Sequence, residues 1–114
     1  MAEATFIQDG YAIDHTPGSA VAAGEVVVIG ELVGVAKHPI ASGELGALAT
    51  SGVFDFAKAT GGSTAIAAGA LVYWDDTNDV ATTNSASGAN KLIGVTVAAA
   101  VDGDALVRVM MKQR

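Results

Sequence analysis

The sequence predicts an all-β fold of two related halves, because short β-branched segments, closely spaced glycines and an internal repeat occur together in it. Segments rich in Val, Ile and Leu between turn residues are typical of strands. No window shows the 3.6-residue periodicity of an amphipathic helix. We therefore predict strands at 26–29, 32–36, 46–49, 53–57, 71–74, 92–97 and 106–111. In the last of these, strict alternation predicts Val107, Val109 and Met111 on one face.

The internal repeat joins a turn to a strand. Residues 21–28 and 66–73 both read as an apolar residue, two alanines, a glycine and a strand, and residues 32–36 match 92–96. Glycines at 24, 43, 69 and 103 recur in register, where we expect turns with positive φ. We predict an N-terminal arm or first strand at 1–17 and one all-β domain at 18–114. Its half-repeats span about 18–57 and 63–112, and a polar insertion spans 75–91.

The composition favours a small core that gains burial from partners. Hydrophobic residues make up 51% of the chain, but only six of its 114 residues are aromatic. Small apolar side chains each remove little surface from water, and oligomerisation is one way to add burial. The net charge of −6 and scattered basic residues argue against direct nucleic-acid binding. No segment reaches the roughly 20 apolar residues of a membrane-spanning helix.

The usual catalytic and metal-binding motifs are absent from the sequence. It has no cysteine, its two histidines, His15 and His38, lie far apart, and it lacks a P-loop, a G-x-S-x-G elbow and an H-E-x-x-H pair. We therefore expect no enzyme activity, catalytic residue, cofactor or metal site. An enzyme would require a pocket that gathers Asp or Glu residues from distant parts of the sequence.

Two neighbouring features leave alternatives open. The Asp75–Asp79 segment is the densest group of oxygen ligands; we favour a hairpin turn over a weak surface site for a divalent cation. Tyr73 and Trp74 precede it, and we favour core packing or an oligomer interface over a stacking platform for sugars or bases. Phe54 and Phe56 alternate on one strand face and are expected in the core.

The first residues carry large apolar side chains before the repeat begins. These are Phe6, Ile7, Tyr11 and Ile13. The segment is either an ordinary first strand or an arm that adds to the edge of a partner's sheet. The residues alone do not decide between these two interpretations.

Over nearly its whole length the chain resembles the small capsid cement, or head decoration, proteins of tailed bacteriophages. The matching segments, in order, are FIQDGYAIDHTP (6–17), VAAGEVVVIGELVGVA (21–36), IASGELGALATSGVF (40–54), AIAAGALVYWDD (65–76) and LIGVTVAAAVDGDALVRV (92–109). Some members of this family carry a recombinase-like label, against which the missing P-loop argues.

The resemblance implies a structural protein that binds the outer surface of a phage head as homotrimers and stabilises contacts between major capsid protein subunits. It implies a location on the outside of the virion after synthesis in the host cytoplasm. By analogy with the lambda head decoration protein it implies a compact β-clip or β-tulip-like barrel. The N-terminal segment would dock on the capsid, so the candidate capsid-binding residues are Phe6, Ile7, Tyr11 and Ile13.

Tyr73 and Trp74 are the candidate oligomer-interface residues. The alternative function is a free-standing β-sheet module that binds carbohydrate or a small ligand through Tyr73, Trp74 and the Asp75–Asp79 loop.

Overall fold

A computed structural model describes residues 3–112, and over that range the chain is all-β, as predicted. Each predicted strand is present with its ends shifted by at most one residue. The strands are β1 (Ala12–His15), β2 (Val26–Ile29), β3 (Leu32–Ala36), β4 (Gly46–Ala49), β5 (Gly52–Ala57), β6 (Leu71–Asp75), β7 (Val80–Thr82), β8 (Lys91–Thr96) and β9 (Leu106–Met111). A 3-10 turn spans Ala86–Gly88. Within the described range no helix is long and apolar enough to cross a bilayer.

The strands form two antiparallel sheets with corresponding strand orders. The first sheet runs β1-β4-β3-β2, and the second runs β5-β9-β8-β6-β7. Thus β1, β4, β3 and β2 have β5, β9, β8 and β6 as counterparts, while β7 is an addition to the second half. The sheets do not close into a barrel, but the arrangement is consistent with the β-clip-like fold that the resemblance implies.

The two halves repeat the same backbone contacts. Val21 forms an isolated antiparallel bridge with Ile40, and Ile66 forms the matching bridge with Ala100. The amide of Gly24 donates to the carbonyl of Ala36 at 2.6 Å, and the amide of Gly69 donates to the carbonyl of Thr96 at 2.9 Å. The repeat in the sequence is therefore a repeat of hydrogen bonds. The proposed boundaries of the arm and half-repeats stay predictions.

Three of the four repeated glycines have the expected backbone conformation. Gly24, Gly43 and Gly69 have φ of 84°, 76° and 76°. Gly103 does not have a positive φ, so the prediction was wrong there. Its turn is closed by the amide of Asp104, which donates to the carbonyl of Val101 at 3.0 Å. A type I turn closes that hydrogen bond without a positive φ at either central residue.

Two apolar clusters hold the fold together. The main cluster joins Val33 and Val35 of the first sheet to the inward-facing residues of the second sheet. The second cluster lies on the other face of the first sheet and contains Val21, Ala36, Ile40 and Leu48. In β9 the predicted alternation is confirmed, because Val107, Val109 and Met111 are buried while the intervening residues are exposed.

Candidate interaction surfaces

The residues before β1 form an exposed N-terminal segment, residues 3–11. Phe6, Ile7 and Tyr11 are 79%, 82% and 72% exposed. The segment joins the sheet at its end, where the carbonyl of Tyr11 accepts a hydrogen bond from the amide of Thr50 at 3.0 Å. The Thr50 hydroxyl also donates to the carbonyl of Gly10. Three large apolar side chains are thus presented to solvent ahead of β1.

Ile13 differs from the other three candidates because it lies inside β1. This strand pairs antiparallel with β4, and Ile13 is opposite Leu48. Its side chain is partly buried against the second apolar cluster. Residues 12–15 are therefore an edge strand of the chain's own sheet, whereas residues 3–11 precede it.

Tyr73 and Trp74 point to opposite sides of the second sheet. The Trp74 ring is 5% exposed, lies in the main cluster and has its centroid 6.1 Å from that of Phe56. Its Nε1 donates to Oδ1 of Asp76 at 3.2 Å. Tyr73 is partly buried and lies opposite Thr82 and Leu92. The two rings do not form one stacking platform.

The Asp75–Asp79 loop is the hairpin turn between β6 and β7, as favoured from the sequence. Oδ1 of Asp75 accepts from the amides of Thr77 and Asn78 at 3.1 and 3.2 Å, and Oδ2 accepts from the Asn78 side chain at 2.8 Å. Hydrogen bonds from Asn78, chiefly its side chain, lower the pKa of Asp75. Over residues 3–112 no group of three or more His, Cys, Asp or Glu residues is placed to hold a metal ion.

An apolar cleft of about 410 Å³ opens between the two sheets. Its apolar walls are Val26 and Val35 from the first sheet and Phe54, Phe56 and Trp74 from the second. Four acidic residues are in its lining, namely Glu25, Asp55, Asp76 and Asp79, although the Asp55 carboxylate lies on the opposite side of β5, where it pairs with Arg108. The cleft was not visible in the sequence, because its acidic residues come from three distant segments.

Three of these four carboxylates have a hydrogen-bond or ion-pair partner within the chain. Oε1 of Glu25 accepts from the amide of Ala22 at 3.0 Å, Asp76 accepts from Trp74, and Asp55 is paired with Arg108. A general acid at neutral pH needs a raised carboxyl pKa, whereas the hydrogen bond from Arg108 lowers the pKa of Asp55. The carboxylates of Glu25, Asp55 and Asp76 are thus held by contacts within the chain.

The second sheet presents a continuous apolar surface to solvent. Val53 lies opposite Met110, Met110 opposite Val95, and Val95 opposite Leu71, so the four side chains form one row across β5, β9, β8 and β6. Eleven large apolar side chains are exposed in the described part of the chain. Five of them belong to this surface: Val53, Leu71, Val97, Leu106 and Met110. We call the surface formed by these five residues and Val95 the outer face.

One ion pair lies within the outer face. Asp55 is opposite Arg108 in the β5–β9 ladder, with Nε to Oδ1 at 2.9 Å and Nη2 to Oδ2 at 3.2 Å. Both groups are solvated, so the pair adds little to stability. It does leave this part of the outer face without net charge. Tyr73 borders the outer face, because it follows Leu71 by two positions on β6.

A sequence model described as phage cement protein matches residues 7–111. The match covers nearly the whole chain, both sheets included, and the chain belongs to the phage cement protein family. Neither the curated proteins nor the solved structures contain a match.

Proposed function

We propose that this protein binds the outer surface of an assembled phage head as a homotrimer and stabilises contacts between major capsid protein subunits. The observation that carries the proposal is membership of the phage cement protein family over residues 7–111. Family membership supports a capsid decoration role in the virion. The trimer, the outer surface and the identity of the subunit contacts are our proposal.

This role requires binding energy rather than chemistry. A ligand that binds only one state stabilises it by RT ln(1 + [L]/Kd), which is about 2.7 kcal/mol at 100 times Kd. A trimer with three attachment points gains avidity without any new contact per subunit. Many modest sites on one shell would then resist the outward pressure of a packaged genome.

We assign the capsid contact to the N-terminal segment. Phe6, Ile7 and Tyr11 are highly exposed, and aromatic side chains are enriched among the residues that dominate binding energy. Ile13 adds the uncovered part of its side chain, but its main contacts are within the chain. The segment is thus an apolar docking element held at one end by β1.

Of the two candidate interface residues, Tyr73 is the more accessible to another copy. It borders the outer face and is only partly buried. Trp74 lies on the opposite side of β6, where it packs in the main cluster and holds β6 in position. We therefore propose direct contact for Tyr73 and a supporting role for Trp74 in the oligomer interface.

The proposal is tested by adding the purified protein to expanded heads of its own phage that lack it. Co-sedimentation measures occupancy, and electron microscopy shows at which symmetry axes density appears. We expect three-fold density with the wild-type protein. Absence of binding at every axis would refute the decoration role.

Substitutions in the N-terminal segment test the docking element separately. The double variant Phe6→Ala/Ile7→Ala should weaken binding by about tenfold or more, given hot-spot costs of about 2 kcal/mol. Its melting temperature should stay close to wild type, since exposed substitutions change stability by about 0.5 kcal/mol or less. Leu45→Ala is the matched control, because Leu45 is 71% exposed and lies outside this segment. Unchanged occupancy of the double variant would assign the capsid contact to another surface.

A further inference from the structure

The two sheets present equivalent rows of side chains. In the first sheet Val26 is opposite Val35, and Val35 is opposite Ala49. In the second sheet Leu71 is opposite Val95, and Val95 is opposite Met110. Because the strand orders correspond, these two rows occupy the same place in the two halves. The second row is the centre of the outer face.

The equivalent rows are covered very differently. Val35 and Ala49 are 4% and 6% exposed, and Val26 packs against the main cluster. Leu71 and Met110 are 52% and 46% exposed. Val26 and Val35 of the first row pack against the second sheet of the same chain, and no described residue does the same for the second row.

The surface that covers the first row also has a counterpart. Val35 shares the main cluster with Phe56 and Trp74, which lie on the inward side of the second sheet. Val27 and Val72 are counterparts, because they lie opposite the matching glycines Gly34 and Gly94. Ile29 follows Val27 by two positions and Trp74 follows Val72 by two positions, so Ile29 corresponds to Trp74.

Val21 and Ile40 cover only part of the face of the first sheet on which Ile29 lies. Ile29 is 42% exposed, and Ile13, Val27 and Leu32 on the same side are partly buried. We call this side, with Ile13, Val27, Ile29 and Leu32, the capped face.

We propose that the outer face of one copy binds the capped face of a second copy, which repeats between chains the contact that the two halves make within one chain. Such a contact is heterologous, and it forms a ring when its rotation closes. Three chains carry six halves, so a trimer would alternate contacts within and between chains around the ring. The inference rests on the proposed function only for the number of copies.

Charge supports a second copy as the occupant. Two chains of net charge −6 repel each other, so a contact between them must be apolar or internally neutralised. The outer face meets this condition, because its apolar side chains flank the Asp55–Arg108 ion pair on β5 and β9. Association should therefore persist or strengthen as salt screens the overall repulsion.

The sequence makes a crosslinking test direct, because it contains no cysteine. Leu71→Cys marks the outer face and Ile29→Cys marks the capped face. The two single variants are mixed and treated with a short bismaleimide, which does not require the strict geometry of a disulfide. We expect crosslinks between the two variants in the mixture. Leu45→Cys, mixed with either variant, is the control from a surface outside both faces.

Each outcome of the crosslinking has a defined meaning. Crosslinks between Leu71→Cys and Ile29→Cys, absent with Leu45→Cys, support the proposal. Crosslinks of Leu71→Cys only to itself would replace it with a face-to-face dimer. Crosslinks of Leu71→Cys only to the major capsid protein on decorated heads would assign the outer face to the capsid. Absence of any crosslink, in solution and on heads, would overturn the proposal.

A charge inserted into the outer face gives an independent measurement. Met110→Lys should raise the dissociation constant between copies by about tenfold or more, because burying an unpaired charge is costly. Sedimentation velocity measures this change, with Leu45→Lys as the control. If Met110→Lys leaves the association unchanged, the outer face is not the contact.

Head binding separates the failure of this inference from the failure of the proposed function. If the wild-type protein decorates heads but the mixed Leu71→Cys and Ile29→Cys variants give no crosslink to each other, only the contact is refuted. Protein that crosslinks through these faces but does not bind heads would refute the decoration role and leave the contact in place.

Discussion

Gly34 and Gly94 occupy the same position in the two sheets, and a side chain at either one would collide with the neighbouring strand. Gly34 lies opposite Val27, and Gly94 lies opposite Val72. A Cβ on Gly34 would lie 2.9 Å from Cβ of Leu48. A Cβ on Gly94 would overlap the carbonyl oxygen of Met110 and lie 2.8 Å from the amide nitrogen of Lys112. The repeat therefore preserves close approach of two strands at this point.

Gly94→Ala should destabilise the protein more than Gly34→Ala. The methyl group at Gly34 meets the Cβ of Leu48 at 2.9 Å, so β4 must shift slightly, for an overpacking cost of about 1–3 kcal/mol. At Gly94 it meets the backbone of β9, so the β8–β9 ladder must separate, and we expect a cost at or above the top of that range. Urea unfolding measures both. Gly18→Ala is the control, since nothing lies within 4 Å of the added atom. Equal losses at the two positions would contradict this account.

Lys58→Met should destabilise the protein although it replaces a charged residue with an apolar one. Lys58 is 5% exposed, and its amino group donates to the carbonyls of Ala59 and Asp104 at 2.8 and 3.0 Å and to the Thr64 hydroxyl at 3.3 Å. Removing the donor loses three partly buried hydrogen bonds, and a hydrogen bond to a charged group contributes about 1.5–3 kcal/mol. Thermal unfolding compares it with Lys37→Met, where the exposed side chain predicts little change. If Lys58→Met leaves the melting temperature unchanged, water replaces the amino group freely.

Asp75→Asn should reduce the stability that the protein loses in acid. The pKa of Asp75 is lowered in the folded state, mainly by the hydrogen bond from the Asn78 side chain. Its contribution to stability is therefore fully present above the ordinary value of 3.8 and is lost as the pH falls through the lower folded value. Asn keeps an acceptor for the turn but does not titrate, so the melting temperature of the variant should fall less between pH 5 and pH 2.

The control for the acid experiment is Asp9→Asn in the N-terminal segment, which removes the same charge away from this turn. Wild type, Asp75→Asn and Asp9→Asn are followed by circular dichroism over the same pH series. Parallel acid losses in wild type and Asp75→Asn would show that the turn does not contribute.

Trp74 is the only tryptophan, so its fluorescence reports on ligands near the β6–β7 hairpin. We expect calcium and oligosaccharide titrations to leave its emission unchanged. The ring is buried in the main cluster, and the Asp75 oxygens already accept hydrogen bonds within the turn. Unfolding in urea provides the positive control, because it exposes the ring. A saturable change on adding either ligand would instead support a binding module.

The sequence was most informative where alternation or a repeat constrained the backbone. The pattern of β9 correctly predicted its buried and exposed faces, and the Phe54–Phe56 spacing correctly predicted an inward side. The strand β7 was not predicted, because its three residues lie in a polar insertion and give no periodic signal. Gly103 was misjudged because a glycine permits a positive φ but does not require one.

The surfaces needed information that no single strand contains. The outer face depends on the register that places Leu71, Val95 and Met110 in one row, and register is set by pairing between segments far apart in sequence. The opposite orientation of Tyr73 and Trp74 did follow from strand periodicity and could have been predicted. The inter-sheet cleft could not, since it exists only once the two sheets pack.

The pairing of β5 with β9 affects the order in which the protein can fold. Gly52 lies opposite Met111, so the second sheet joins its first strand to a strand made more than fifty residues later. The first sheet needs only residues 12–49 to pair all four of its strands. We expect the first half to assemble on the ribosome while the second waits for β9, with the slow overall folding that non-local strand pairing imposes. Until then the hydrophobic row at Val26 and Val35 stays uncovered, so the newly made chain passes through a stage in which it is most prone to aggregate.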